Sequence, residues 1–160
     1  SLIQGHDLAG NPLNESPSFC IGATVNPGAS DLSKEIYRME KKFEAGAVFF
    51  QTQPIFDSET LYKFTNLTQH ITTPIIAGII LLKSARMARN LNQRLPGIQI
   101  PDGVIKDMET TNDRQKQGIT VAARIIQDIR EMVRGVHIMA IKWEKHIPQI
   151  LEKSGVVGNP

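Results

Sequence analysis

The chain has 160 residues, 41% of them hydrophobic, which sets the expectation of one domain with a full core. Its 18 basic and 16 acidic side chains leave a formal charge of +2, so bulk charge gives no argument for a nucleic acid or an acidic membrane surface as partner. Cys20 is the single cysteine, which excludes an intramolecular disulfide; with no apolar run of bilayer length and no secretory leader, a reducing, cytoplasmic setting is the simplest reading.

The start, Ser1-Leu2-Ile3-Gln4, carries no methionine and reads as a processed, tagged or excised segment. Residues 1–17 read as an irregular leader, punctuated by Gly5, Gly10, Asn11, Pro12, Asn14 and Pro17. Phe19 to Thr24 reads as a strand, and Asn26-Pro27-Gly28-Ala29 as a loop. Ser30 or Asp31 then caps a helix reaching Ala45, with Leu32, Ile36, Met39 and Phe43 as its buried stripe and Gly46 as its stop.

The next unit repeats the plan. Val48 to Thr52 reads as a strand, in a run that stops on Gln51, Gln53 and Pro54. Ser58 caps a helix with Leu61, Phe64 and Leu67 on one face, and Thr73-Pro74 breaks it. Ile75 to Leu81 is a continuous apolar strand of the kind that parallel sheets bury on both faces. A helix from Ser84 to Leu95 turns Met87 and Leu91 inward and ends at Pro96-Gly97.

Residues 98–116 read as a connector with one short helix after Pro101-Asp102. A long helix, Arg114 to Arg134, has Ile119, Ala122, Ile126, Ile129 and Val133 as its stripe, and Gly135 stops it. Val136 to Ile141 is the fourth strand, and a helix over Pro148 to Lys153 closes the chain at Gly155. Strands alternating with helices predict an α/β fold with parallel pairing and right-handed crossovers. A (β/α)₈ barrel needs eight strands and about 250 residues, so four strands form either a small open sheet or half of a barrel with two unpaired edges.

The run Ala45-Gly46-Ala47, a strand, then Gln53-Pro54-Ile55-Phe56-Asp57 resembles the methylenetetrahydrofolate reductase family. It is most similar to the branch fused behind a homocysteine methyltransferase domain. Glu40 to Asp57 carries the specific part of the match. Gly22 to Ala29, Pro74 to Ile79 and Gly135 to Met139 follow in the family's order.

The resemblance implies a (β/α)₈ barrel with FAD at the carboxyl ends of its strands. It also implies reduction of 5,10-methylenetetrahydrofolate to 5-methyltetrahydrofolate, a step of one-carbon metabolism and methionine biosynthesis. Residues 18–160 then correspond to the barrel's C-terminal half, strands five to eight. The family's catalytic acid and its aspartate near the flavin belong to the first half, so no catalytic residue is assigned here. The implied partners are the folate substrate, NAD(P)H or another electron donor, and a missing N-terminal half-barrel or a second copy. The alternative is a non-catalytic half-barrel that acts as an assembly or partner-binding subunit.

By the same resemblance, FAD-binding positions fall on Thr24, Asn26, Glu35, Arg38 and Lys42. Glu35, Arg38 and Lys42 share one helix face by their spacing; as ordinary sequence that face reads equally as a solvated surface with Glu–Arg pairs. Asn26 before Pro27 also reads as simple turn chemistry. Gln53 matches the family glutamine that binds the pterin, and its amide offers two donors and an acceptor to such an edge. Met87 occupies a substrate position where many members carry glutamine, and as ordinary sequence it reads as core. No pair among His6, His70, His137 and His146 has metal-ligand spacing, and no metal is expected.

Overall fold

The computed structural model describes residues 4–156; the beginning of the leader, residues 1–3, and the last four positions of the expected barrel half, 157–160, lie outside the described residues. Its elements in chain order are β1 (Gly22–Val25), α1 (Leu32–Glu44), β2 (Phe49–Pro54), α2 (Ser58–Leu67) and β3 (Ile75–Ile80). After these come α3 (Ala85–Arg94), α4 (Asp102–Thr110), α5 (Arg114–Ile129), β4 (Gly135–Met139), a 3₁₀ turn (Glu144–His146) and α6 (Ile147–Ser154). Within the leader an isolated antiparallel bridge joins His6 to Pro12.

The four strands pair in parallel and in sequence order, β1-β2-β3-β4. That order decides between the two expected sheets. A doubly wound sheet reverses its strand order and carries helices on both faces. Here every crossover moves on to the next strand, so right-handed connections leave all the helices on one face. The result is an arc of a (β/α)₈ barrel, bare on its inner side.

Strand alternation sorts the residues. Val25 and Phe50 point outward and pack with Met39 of α1 and Phe64 of α2. Ala77 and Ile79 pack in a second cluster with Ile119, Ala122, Ile126 and Ile129 of α5 and Ile150 of α6. On the inner side Thr24, Gln53 and His137 are exposed, while Gln51, Ile76 and Met139 are half-buried.

Several boundaries differ from the sequence reading for local reasons. The first strand forms only from Gly22, and Phe19 and Ile21 stay exposed. Phe43 and Leu67 are exposed at helix ends, where the last turn rotates past the core; α1 instead buries Glu35 beside Met39. Asp31, one of the two expected caps, accepts from Lys34 N. Asp57, not Ser58, caps α2, because its carboxylate takes both the Glu59 and the Thr60 N–H. The connector after Pro101 holds the expected helix, now nine residues long, and α5 stops at Ile129 rather than Arg134. Among the described residues no helix is long and apolar enough to cross a membrane.

Burial pushes the Asp57 carboxyl up, but the Thr60 hydroxyl and the Glu59 and Thr60 N–H groups outweigh it and hold the group below its ordinary 3.8. A carboxyl depressed by folding stabilises at and above the ordinary carboxylate range, and that contribution fades as pH falls through the lower native value. Asp57→Asn keeps a capping side chain but does not titrate there. Thermal melts at about pH 6 and about pH 3 should therefore show a larger fall in Tm for the native chain than for Asp57→Asn. An equal fall in both would remove Asp57 from the acid sensitivity.

Candidate functional site

Parallel pairing puts the carboxyl ends of all four strands at one rim, where α/β barrels place their binding groups. A hollow of about 750 Å³ opens there beyond β1 and β2. It is lined by Thr24, Asn26, Glu35, Arg38 and Lys42, the five positions expected for cofactor, together with Gln53, expected for substrate. Val25, Lys41, Leu95 and Pro96 complete the wall. Met87 is not among them. It sits on α3, half-buried against the second core cluster, with its N–H donating to Ser84 Oγ at 3.1 Å.

Glu35, Asn26, Lys41 and Lys42 in this wall have definite internal partners. Glu35 is only 8% exposed, and its Oε1 accepts from Asn26 N–H at 2.9 Å, tying the start of the β1–α1 loop to the first turns of α1. Its other oxygen lies 3.8 Å from the Arg38 guanidinium. Lys42 Nζ donates to Thr24 O at 2.6 Å, which places the ammonium at the carboxyl end of β1. Lys41 pairs with Glu44 at 2.7 Å; the hydrogen bond to that carboxylate raises the pKa of its ammonium above the ordinary lysine value.

The far wall comes from the α3–α4 connector, where the sequence marks only a helix end at Pro96-Gly97. Asn92 holds it in place, accepting from Ile100 N–H at 2.7 Å and donating to Ile100 O at 3.0 Å. Ile98 and Ile100 enter the core, so Leu95-Pro96-Gly97 arches back across the rim. There Asn26 Nδ2 donates to Pro96 O at 3.4 Å, and Asn26 Oδ1 accepts from Gly28 N–H at 3.2 Å. The approach is close enough to require glycine on both sides. A Cβ on Gly28 would overlap Gly97 O, and one on Gly97, where φ is +80°, would overlap the Asn26 amide.

Gln53 is exposed at the end of β2, and its backbone is fixed by its neighbour. The buried Thr52 hydroxyl donates to Gln53 O at 2.7 Å and accepts from Gly78 N–H at 2.9 Å. His137, given no role from sequence, lies on the inner face of β4 opposite Gly78, which has no side chain to separate it from β2. Strand alternation was the signal that could have found it. At the end of β4, Ile141 and Lys142 both have positive φ, 49° and 69°. The Lys83 ammonium meets Ile141 O there, and Lys142 N–H donates to Glu144 at 2.8 Å. Among the described residues no cluster of His, Cys, Asp and Glu is built to hold a metal ion.

The donor set fits an anionic cofactor. Arg38 and Lys42 line the hollow against the Glu35 carboxylate, which is itself occupied, with Lys41 beside them but paired to Glu44, and hydroxyl and amide groups of Thr24, Asn26 and Gln53 lie next to them. Cations of this kind suit phosphate oxygens.

Fold and hollow together define one arc of a (β/α)₈ barrel with a polar hollow at the carboxyl ends of its first two strands. The chain belongs to the methylenetetrahydrofolate reductase family, whose sequence model matches residues 13–155. It is 25% identical over 163 aligned residues, 87% of this chain, to methylenetetrahydrofolate reductase 2 of Schizosaccharomyces pombe. It is 27% identical over 149 residues, 86% of this chain, to a probable methylenetetrahydrofolate reductase (NADPH) of Caenorhabditis elegans. The chain spans about a quarter of the length of these relatives, 25% and 22%. Among solved structures, an uncharacterised protein from Clostridium thermocellum that binds two copies of 5-methyl-5,6,7,8-tetrahydrofolic acid shares the fold. Its TM-score is 0.61 at 16% identity, over 90% of this chain and 55% of that one.

The Gly28–Gly97 contact gives a direct test of the rim. Gly97→Ala meets both a left-handed backbone and the Asn26 amide, and is expected to lower stability by about 2–4 kcal/mol. Gly103→Ala, in α4 with open space around it, should raise stability by about 0.5–1 kcal/mol. Urea unfolding of the two variants checks the sign of each.

Proposed function

We propose that residues 18–160 supply the C-terminal half of a flavin-dependent methylenetetrahydrofolate reductase barrel, with FAD at the β1–β2 rim and folate against Gln53. The observation that carries this reading is that one hollow gathers Thr24, Asn26, Glu35, Arg38, Lys42 and Gln53. Family membership and the folate bound by the Clostridium thermocellum protein support it.

FAD, when bound, supplies the hydride that turns 5,10-methylenetetrahydrofolate into 5-methyltetrahydrofolate. The chain's own residues do the holding. Arg38 and Lys42 pair with the cofactor's phosphate oxygens; Lys42 has two N–H donors left beyond its bond to Thr24 O. Thr24 and Asn26 border the cofactor at the end of β1, and Glu35 keeps that loop in position. Gln53 reads the planar pterin edge with its amide. The proton donor belongs to the other half of the barrel, and NAD(P)H or a comparable donor reduces the flavin. A cytoplasmic location, a role in methionine supply and kinship with the branch fused to a homocysteine methyltransferase domain belong to the same proposal.

A second reading, a half-barrel that assembles without catalysing, is favoured by one feature: β1 and β4 are both edge strands with unpaired backbone groups.

Titration with FAD, followed by flavin fluorescence and absorbance, and with 5-methyltetrahydrofolate by calorimetry separates the two. Binding of both ligands is expected. Arg38→Ala and Lys42→Ala should each weaken FAD by about fivefold to tenfold, and Gln53→Ala should weaken the folate by about tenfold with FAD unchanged. A stable dimer by light scattering that binds neither ligand would establish the second reading instead.

A further inference from the structure

The pairing of β2 with β3 slips. Gln51 is opposite Ile76, but Pro54 is opposite Gly78, so three steps along β2 match two along β3. One extra residue is inserted into β2 immediately before the site, and such an insertion leaves ladder groups unmatched. Gly78 N–H lies beside that insertion, in a buried position where a missing partner is costly.

The Thr52 side chain sits across the slip. It is 3% exposed, and its hydroxyl accepts from Gly78 N–H at 2.9 Å while donating to Gln53 O at 2.7 Å. One hydroxyl thereby uses its donor and one acceptor site to link Gly78 N–H and Gln53 O across the slip. Past the slip the ladder resumes, with Ile55 N–H donating to Gly78 O at 2.9 Å. Gly78 takes part through its bareness: a Cβ there would stand 2.7 Å from Thr52 O and 3.4 Å from Gln53 O. The backbone of Gln53 is therefore pinned on one side by the Thr52 hydroxyl and on the other by close approach to Gly78.

We propose that Thr52 is a positioning residue for the folate site: its hydroxyl bridges the slip in β2–β3 pairing and thereby aims the Gln53 amide at the ligand. This rests on the reading of Gln53 as the folate contact. Thr52 touches no ligand itself, and its influence runs through Gln53.

The test is a double-mutant cycle on the full 160-residue chain, with 5-methyltetrahydrofolate as probe. Thr52→Val keeps the shape and removes the hydroxyl, and Thr52→Ser keeps the hydroxyl. Thr52→Val is expected to weaken binding about fivefold to tenfold, and Thr52→Ser to stay within about twofold of the native chain. In a Gln53→Ala background, Thr52→Val should then have no further effect on binding. An equal loss in both backgrounds would show general damage and overturn the proposal, as would full affinity in Thr52→Val.

A second readout is independent of ligand. In ¹⁵N NMR spectra the Gln53 side-chain amide signals should shift or broaden in Thr52→Val and return in Thr52→Ser, and the Gly78 amide should lose protection from exchange in Thr52→Val alone. Unchanged Gln53 signals overturn the positioning role. Altered signals in Thr52→Val, together with a native chain that fails to bind 5-methyltetrahydrofolate, would leave the positioning intact and overturn the folate reading instead.

Discussion

Parallel pairing of four successive strands is the constraint on which the rest of the structure depends. A parallel neighbour is reached only by a crossover, and the crossover here is always a helix on the same side. From this come the covered outer face, the bare inner face and the common direction of the strand ends. Thr24, Gln53 and the turn after Met139 reach one rim because their strands all run the same way. The sheet also ends on two edges, and that single fact gives the assembly reading its footing.

The rim built on this sheet is held by polar groups that have partners before any ligand arrives. Glu35 is bound to the loop it faces, Asn26 to the connector across the hollow, and Lys42 to the end of β1. Such pairing lowers the conformational freedom that binding would otherwise remove, the usual benefit of a preorganised site. It also divides labour among side chains that sequence treated alike. The buried Glu35 acts chiefly on the loop, whereas exposed Arg38, with only a 3.8 Å contact to that carboxylate, keeps donors for an anion.

Local rules explain what was legible in the sequence. Gly46 and Gly155 stop helices with positive φ, Ser84 caps α3, and the apolar run from Ile75 forms the buried strand. The helical spacing of Glu35, Arg38 and Lys42 was enough to put them on one wall. The rest is of another kind. Met87 turns inward on α3 and packs half-buried against the core cluster, outside the hollow that Gln53 lines. The Leu95–Gly97 arch and the Asn26–Pro96 contact join positions about seventy residues apart, and no periodicity in one chain encodes such a meeting.

The slip between β2 and β3 shows how one long-range event explains several residues that look unrelated along the chain. An extra residue in β2 displaces the ladder by one step, and at that point a short side chain carrying both donor and acceptor, Thr52, links Gly78 N–H to Gln53 O. Bringing the bulged backbone across the next strand leaves no room for a side chain opposite, so position 78 is glycine. The same bare position removes the wall that would otherwise stand between Gln53 and His137 on the inner face. The threonine before the glutamine and the glycine on the neighbouring strand are thus two consequences of one inserted residue, and the geometry of the site follows from both.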